Sequence, residues 1–424
     1  MITHNQQKTT TPLPYTLNLN SSEHTKVLPI PMTFITIKDI AMLSKLIHIQ
    51  DAYFNLTHFT KPHIYIEQLK SSDLTPFNVK LILAILPKLK SKDCCLVLPI
   101  YSLEFYQLVE RQLLNIIAND CTYYSYYQAI KLVIHNDGLS DTQHEDLKQL
   151  IRHRYPNISL GVELDNYINH PQSNFASITN LVRDLNVDFF IINQNFSTLI
   201  YKLTHTTHNT NDCEALQSFI KDLKEYAKLL IFTRISMNDI NSYFNSYTEM
   251  TTVKIAHFLI ELTQQIGGFG FPFLLEDNDD IAILNTSTSG LSLVHIYSML
   301  LPFMGQKIQF HDLGLLMTKD NTSELLFYDG ANTMNYSLQH LITIKHQFTR
   351  RFQVYNRVLK ASTNQFTKSL SNTPSIDTLK TDKILLLNFN KVNSPIDYVK
   401  IHEPNATLDL LLAKGTIHYL KLQL

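Results

Sequence analysis

The sequence predicts an α/β protein, a (β/α)₈ barrel followed by a small antiparallel β-sandwich. Three observations carry this prediction. Short apolar runs alternate with amphipathic runs from about residue 60, which indicates repeated strand–helix units. The run "CCLVLPI" (94–100) is continuously apolar, as expected of a strand buried on both faces. Beyond about residue 360 the apolar runs continue without helices between them.

These patterns divide the chain into three parts. We expect an N-terminal polar and irregular segment (1–59), a barrel (60–360) without an inserted domain after its third strand, and a C-terminal β-sandwich (361–424). Thr75 and Pro76 should begin a helix, since Thr is a good N-cap and Pro is favoured in the first turn. The predicted barrel strands are "HIYIE" (63–67), "CCLVLPI" (94–100), "ISLGVELD" (158–165), "VDFFIIN" (187–193), "LLIFTRI" (229–235), "FPFLLE" (271–276) and "QKIQFHDLG" (306–314).

Composition excludes some classes of function. Hydrophobic residues make up 44% of the chain, charged residues 17%, and the net charge is -1, so we expect a globular protein that does not bind nucleic acid. The four cysteines form no CxxC pair, so we expect neither zinc nor another metal, and nothing indicates a cofactor. The absence of Trp argues weakly against a sugar site, although 21 Tyr residues could supply aromatic platforms.

The sequence shows no convincing signal peptide or membrane-spanning run. It does contain Asn-x-Ser/Thr sequons that would accept N-linked glycans on an extracellular protein. The candidate glycosylation sites are Asn20, Asn55, Asn157, Asn321, Asn335 and Asn405.

One motif leads to a family resemblance. In "DNYINH", Asp165 precedes Asn169 and His170 with the spacing found after the third strand of the α-amylase family of glycoside hydrolases. "VDFFIINQN" resembles that family's fourth-strand motif, and "FLLEDNDDI" resembles its seventh-strand motif. The resemblance implies an amylase-type barrel over roughly residues 60–424.

The same resemblance implies that the catalytic positions have been lost. Retaining glycosidases need two carboxyl groups, one as nucleophile and one as acid and base. The position of the nucleophile would be Asn193, the arginine before it would be Ile191, and the acid–base position would be Thr233. Asp277 and Asn278 replace the seventh-strand Asn-His pair, whereas Asp165, Asn169, His170 and Asp279 are retained. We therefore expect a pseudoenzyme.

A barrel with about 16 residues between His170 and Val187 lacks the large insert of the amylase enzymes. In this it resembles the heavy-subunit family of heteromeric amino-acid transporters, of the 4F2 heavy-chain type. That resemblance implies a non-enzymatic glycoprotein on the extracellular side of the cell membrane, partnered by a transporter light chain. No Cys precedes Cys94, so the association would be non-covalent.

Two other interpretations remain open. A divergent glycoside hydrolase could use Asp165 and Asp279, or another carboxylate such as Glu276. A carbohydrate-binding protein without catalysis would instead show a groove lined by Tyr.

Overall fold

The computed structural model describes residues 12–19, 25–43, 63–135, 139–165, 187–193, 229–236, 239–240, 251–265, 267–272, 295–319, 321–328, 340–360, 396–404, 407–413 and 415–424. The strands in these ranges are β1 (Leu13–Asn18), β2 (Thr25–Val27), β3 (Met32–Ile37), β4 (His63–Ile66), β5 (Leu96–Ile100), β6 (Ile130–Ile134), β7 (Ser159–Glu163), β8 (Phe189–Ile192), β9 (Leu229–Phe232), β10 (Gly268–Pro272), β11 (Lys307–His311), β12 (Gly314–Lys319), β13 (Thr322–Phe327), β14 (His340–Lys345), β15 (Phe352–Lys360), β16 (Ile396–His402), β17 (Leu408–Leu412) and β18 (Thr416–Gln423).

Helices lie between several of the strands. Their bounds are Pro76–Ser91, Leu103–Val109, Asn115–Asn119, Cys121–Tyr124, Asp141–Arg154 and Thr251–Gln265, with a π-helical segment at Glu110–Leu114 joining the second and third. The first helix begins as predicted, with Thr75 accepting a hydrogen bond from the backbone N–H of Asn78 at 3.3 Å. The helix Asp141–Arg154 is capped by Ser140 and Gln143, which bond reciprocally to each other's backbone.

Eight parallel strands close into a barrel, which confirms the predicted fold class. Their order is β3 to β10 in sequence, and β10 closes the ring by pairing with both β9 and β3. The apolar strands have two buried faces because one face points into the barrel and the other packs under helices. In β5, for example, Val97 belongs to the inner cluster while Leu96 and Leu98 belong to the outer core.

The interior of the barrel is filled by side chains. Its cluster contains Phe34, Tyr65, Val97, Val133, Phe189, Ile191 and Ile231. Gly161 explains how the bulky ring of Phe189 fits there, since a Cβ at Gly161 would overlap that ring. The barrel is therefore a packed core, and chemistry is confined to its ends.

The strands outside the barrel form a sandwich of two sheets, in which β1 pairs parallel with β14 and the other described pairings are antiparallel. One has the order β16-β15-β18-β13-β12-β11-β2, and the other has the order β1-β14-β17. Both contribute to one core, which joins Leu325 and Phe352 of the larger sheet to Leu17, Ile342 and Leu408 of the smaller one. The sequence predicted antiparallel strands after about residue 360, and β18 lies there, in the run "TIHYLKLQL" (416–424).

The sandwich contains more of the chain than the sequence predicted. Strands β1 and β2 of the N-terminal segment pair within it, and β3 of the same segment is the first strand of the barrel. "QKIQFHDLG" is not the eighth barrel strand, because β11 pairs antiparallel with β12 and β2. Strand β14 lies before residue 360, in the part of the chain assigned to the barrel, and it also belongs to the sandwich. Local periodicity identifies a strand but not the partner with which it pairs, and that pairing sets the domain boundary.

Candidate active site

The carboxyl ends of the barrel strands surround a cavity of about 760 Å³. Polar side chains from five successive strands meet there. The lining residues are Glu67–Ser71 after β4, Tyr101, Ser102 and Phe105 after β5, His135 after β6, Glu163 at the end of β7 and Asn193 after β8. This is the end of a (β/α)₈ barrel at which enzymes of that architecture carry out chemistry.

Glu163 is the central charged group of the cavity. Its side chain is 8% exposed, and its Oε2 atom lies 2.6 Å from Nδ1 of His135, which is 6% exposed. Asn193 donates a short hydrogen bond from Nδ2 to Oε1 of the same carboxylate. A buried carboxylate is stable only when such partners replace the lost water.

The surroundings of Glu163 hold it ionised. Burial raises the pKa of this carboxyl group, but hydrogen bonds with His135, Asp165 and Asn193 lower it, and the lowering prevails. Asp165 also accepts the backbone N–H of Asn193 at 2.8 Å through its Oδ2 atom.

A second layer of hydrogen bonds supports these residues. The Tyr65 hydroxyl group lies 3.0 Å from Nε2 of His135 and accepts a hydrogen bond from Nδ2 of Asn193 at 3.1 Å. Thr233 donates its hydroxyl hydrogen to Oδ1 of Asn193. Burial raises the pKa of the Tyr65 hydroxyl well above its ordinary value, so this group keeps its proton.

Glu67 supplies a second carboxylate to the same cavity. Its side chain is 18% exposed, and its Oε2 atom lies 3.6 Å from Nη1 of Arg234. Tyr101 fixes this wall, because its hydroxyl donates to the carbonyl oxygen of Glu67 at 2.8 Å and accepts the N–H of Leu69 at 3.3 Å. Among the residues that the structure describes, two carboxylates line the cavity, and glycoside hydrolysis requires two such groups.

The structure brings together three of the residues singled out from the sequence, namely Asp165, Asn193 and Thr233. Ile191 instead lies in the apolar interior of the barrel. Asn169, His170, Asp277, Asn278 and Asp279, together with Glu276, lie outside the described residues. Of the candidate glycosylation sites, Asn157 and Asn321 are exposed, and Asn20, Asn55, Asn335 and Asn405 lie outside the described residues.

The position of these residues in the barrel differs from that required by the α-amylase comparison. Strands β3 and β6 were not counted in the sequence, so Asp165 follows the fifth strand and not the third. Asn193 follows the sixth strand, Thr233 follows the seventh, and the fourth strand ends before His135. Asn193 and Thr233 are thus not the replaced catalytic residues of the fourth and fifth strands.

Sequence reasoning missed Tyr65, Glu67, His135 and Glu163. A signal for three of them was present, because a Glu or His ends an otherwise apolar run in "HIYIE", "KLVIH" and "LGVE". Charged groups at the carboxyl ends of barrel strands are where catalytic residues occur. Tyr65 gave no such signal, because a Tyr inside an apolar strand is usual.

Comparison with known proteins concerns the fold of the chain. The sequence matches no protein-family model and no curated protein. Among solved structures, the chain is similar to a GH39 enzyme from Xanthomonas axonopodis pv. citri, with a TM-score of 0.62 and 11% identity, covering 100% of this chain and 99% of that one. It is similar to a monomeric beta-xylosidase from Caulobacter crescentus, with a TM-score of 0.60 and 9% identity over 97% and 99% of the two chains.

A third similar structure is the bacterial orthologue of human α-L-iduronidase, with a TM-score of 0.58 and 9% identity over 96% of this chain and 83% of that one. The chain thus has the fold of the TIM-barrel glycoside hydrolases. The expectation that it is not an enzyme is contradicted, because these neighbours are glycoside-hydrolase enzymes. They give no support to the resemblance to transporter heavy subunits.

Two further observations concern membrane-spanning helices and metal sites. Within the ranges that the structure describes, no helix combines the length and apolar character needed to cross a membrane. No cluster of three or more His, Cys, Asp or Glu in those ranges is arranged to hold a metal ion.

Proposed function

We propose that this protein is a glycoside hydrolase whose reaction takes place in the cavity at the carboxyl end of the barrel. The observation that carries the proposal is Glu163, a buried carboxylate held ionised by hydrogen bonds at the cavity wall. Glycoside cleavage passes through a transition state with positive charge on the sugar ring, and a fixed anion stabilises that charge. Glu163 would act as this anion, or as the nucleophile itself.

Glu67 is proposed as the second carboxyl group, which protonates the leaving oxygen. Its side chain lines the cavity, and its Oε2 atom lies 3.6 Å from Nη1 of Arg234. It is also more exposed than Glu163, which allows it to exchange protons with water. The aromatic rings of Tyr101 and Phe105, whose centroids lie 5.5 Å apart, give the cavity an apolar wall against which a sugar ring can pack.

The neighbours suggest which substrates to try first. A β-xyloside and an α-L-iduronide, each with a chromogenic or fluorogenic leaving group, correspond to the activities named for two of the similar structures. The full chain should release the leaving group from at least one member of a panel of such glycosides. The Glu163→Gln variant should lose on the order of 10³–10⁵-fold in kcat.

A matched control is Glu145→Gln, which removes a carboxylate from the helix Asp141–Arg154, where Glu145 bonds to Gln149. It should leave kcat unchanged. Hydrolysis that persists in Glu163→Gln would overturn the assignment of Glu163. Tight sugar binding by calorimetry without turnover on any substrate would overturn the proposal of catalysis.

Partnership with an amino-acid transporter light chain at the cell surface stays a prediction. It is tested by purifying the tagged chain from gently solubilised membranes and identifying bound proteins, with and without reductant. Absence of a multi-spanning partner in both preparations would reject it.

A further inference from the structure

The hydrogen bonds around Glu163 form a chain with a single direction. Asn193 has two amide hydrogens, and they go to Glu163 and to the Tyr65 oxygen. Its Oδ1 atom accepts the hydroxyl hydrogen of Thr233, which fixes the orientation of the amide group. Every hydrogen-bonding atom of the Asn193 carboxamide is therefore used.

Tyr65 must then direct its own hydrogen elsewhere. Its side chain is fully buried, and among the described residues its other neighbour within hydrogen-bond distance is Nε2 of His135 at 3.0 Å. A buried hydroxyl hydrogen without an acceptor would be costly, so Tyr65 donates to Nε2. His135 consequently carries its ring hydrogen on Nδ1, which faces the Glu163 carboxylate at 2.6 Å.

The other neutral tautomer of His135 would make an unfavourable contact at each of the two ring nitrogens. A hydrogen on Nε2 would leave the Nδ1 lone pair against the anionic Oε2 of Glu163, and it would leave the Tyr65 hydrogen without this acceptor. The ring is also held from the side, since its centroid lies 4.9 Å from that of Tyr101.

We propose that Tyr65 is a positioning residue that acts through His135: the chain from Asn193 to Tyr65 to His135 to Glu163 fixes the His135 tautomer and thereby keeps Glu163 an oriented anion. The groups that face Glu163 are His135 from the end of β6, Asp165 beyond β7 and Asn193 beyond β8, with Tyr65 of β4 beyond His135 and Asn193. Each bond in the chain donates toward the carboxylate. The consequence for catalysis rests on the proposed function, whereas the hydrogen-bond chain does not.

The test uses Tyr65→Phe, which retains the ring and removes only the hydroxyl group. Histidine-selective ¹⁵N labelling of the full chain, with His135→Gln to assign the signal, reports which nitrogen carries the hydrogen. The unaltered protein should show a protonated Nδ1 and a hydrogen-bonded, unprotonated Nε2. Tyr65→Phe should abolish the hydrogen bond to Nε2. Infrared difference spectra against Glu163→Gln report the protonation of Glu163. In Tyr65→Phe, Glu163 should take up its proton at a pH about half a unit to one unit higher than in the unaltered protein.

In Tyr65→Phe, the acid limb of the pH–rate profile should shift to higher pH by the same amount. The control is Tyr106→Phe, a buried tyrosine outside the barrel that contacts Glu110 at 3.5 Å, and it should leave these signals unchanged. A hydrogen on Nε2 in the unaltered protein, or identical spectra in Tyr65→Phe, would overturn the inference. If no glycoside is cleaved, the spectroscopic results still decide it, and only the proposed function fails.

Discussion

The carboxamide of Asn193 donates one hydrogen to Glu163 and accepts a hydrogen bond from Thr233. A residue that the sequence indicated as a lost nucleophile is therefore a hydrogen-bond donor to an intact carboxylate. The chemistry of the cavity depends on this relationship, because an amide can stabilise a neighbouring anion and a second carboxylate cannot.

The variant Asn193→Asp tests whether the amide of Asn193 stabilises the Glu163 carboxylate. The change places a third carboxyl group beside Glu163 and Asp165, so the free energy of unfolding should fall as pH rises and these groups ionise together. We expect a loss on the order of 2–4 kcal/mol at pH 7 and a smaller loss near pH 5. Urea denaturation at both pH values measures it. An equal loss at the two pH values would argue against charge repulsion as the cause.

The variant Glu67→Gln tests whether Glu67 is the general acid of the reaction. If Glu67 protonates the leaving oxygen, the loss of kcat should depend on how much help the leaving group needs. We expect a fall of roughly 10²–10⁴-fold for an alkyl glycoside and a much smaller fall for a dinitrophenyl glycoside. A uniform fall across leaving groups would assign Glu67 to binding and leave the identity of the acid open.

Gly161→Ala tests the packing of the barrel interior. The added Cβ overlaps the ring of Phe189, so the variant should lose about 1–3 kcal/mol of stability. Phe189→Leu should cost stability by itself but relieve the overlap when combined with Gly161→Ala. Chemical denaturation of the four proteins gives the coupling energy, and additive losses would show that the two positions do not contact each other.

Two histidines of the antiparallel strands should limit stability in acid. Burial lowers the pKa of His311 and of His418 to about 4, below the ordinary value of 6.5. As pH falls from 6.5 toward 4, the unfolded chain binds protons at these positions while the folded protein does not. Stability should therefore decrease across this range, by on the order of 2–3 kcal/mol per histidine, and remain constant above it.

The measurement is the midpoint of thermal unfolding between pH 4 and pH 8 for the unaltered protein and for His418→Gln. The variant should lose less stability on acidification than the unaltered protein. Parallel curves for the two proteins would show that His418 does not titrate on unfolding.

The sequence predicted a barrel fold because apolar runs and amphipathic helices are local patterns. "CCLVLPI", the start of the helix at Thr75 and the C-terminal strand could be predicted in this way. Cys94 and Cys95 are buried, as their apolar run indicated. The sequence did not predict β3 ("MTFITI") or β6 ("IKLVI"), which are short, and without these two strands the later motifs are assigned to the wrong strands of the barrel.

The sequence by itself determined that strands and helices alternate, that most of the chain forms a barrel, and that antiparallel strands end it. Only the tertiary structure decided which side chains meet. Tyr65, His135, Glu163 and Asn193 span 129 residues of sequence, and they meet because β4, β6, β7 and β8 lie side by side or one strand apart in the barrel. Hydrogen bonding and charge act over a few ångströms in space, so a network of this kind is set by the pairing of strands and leaves little trace in local sequence.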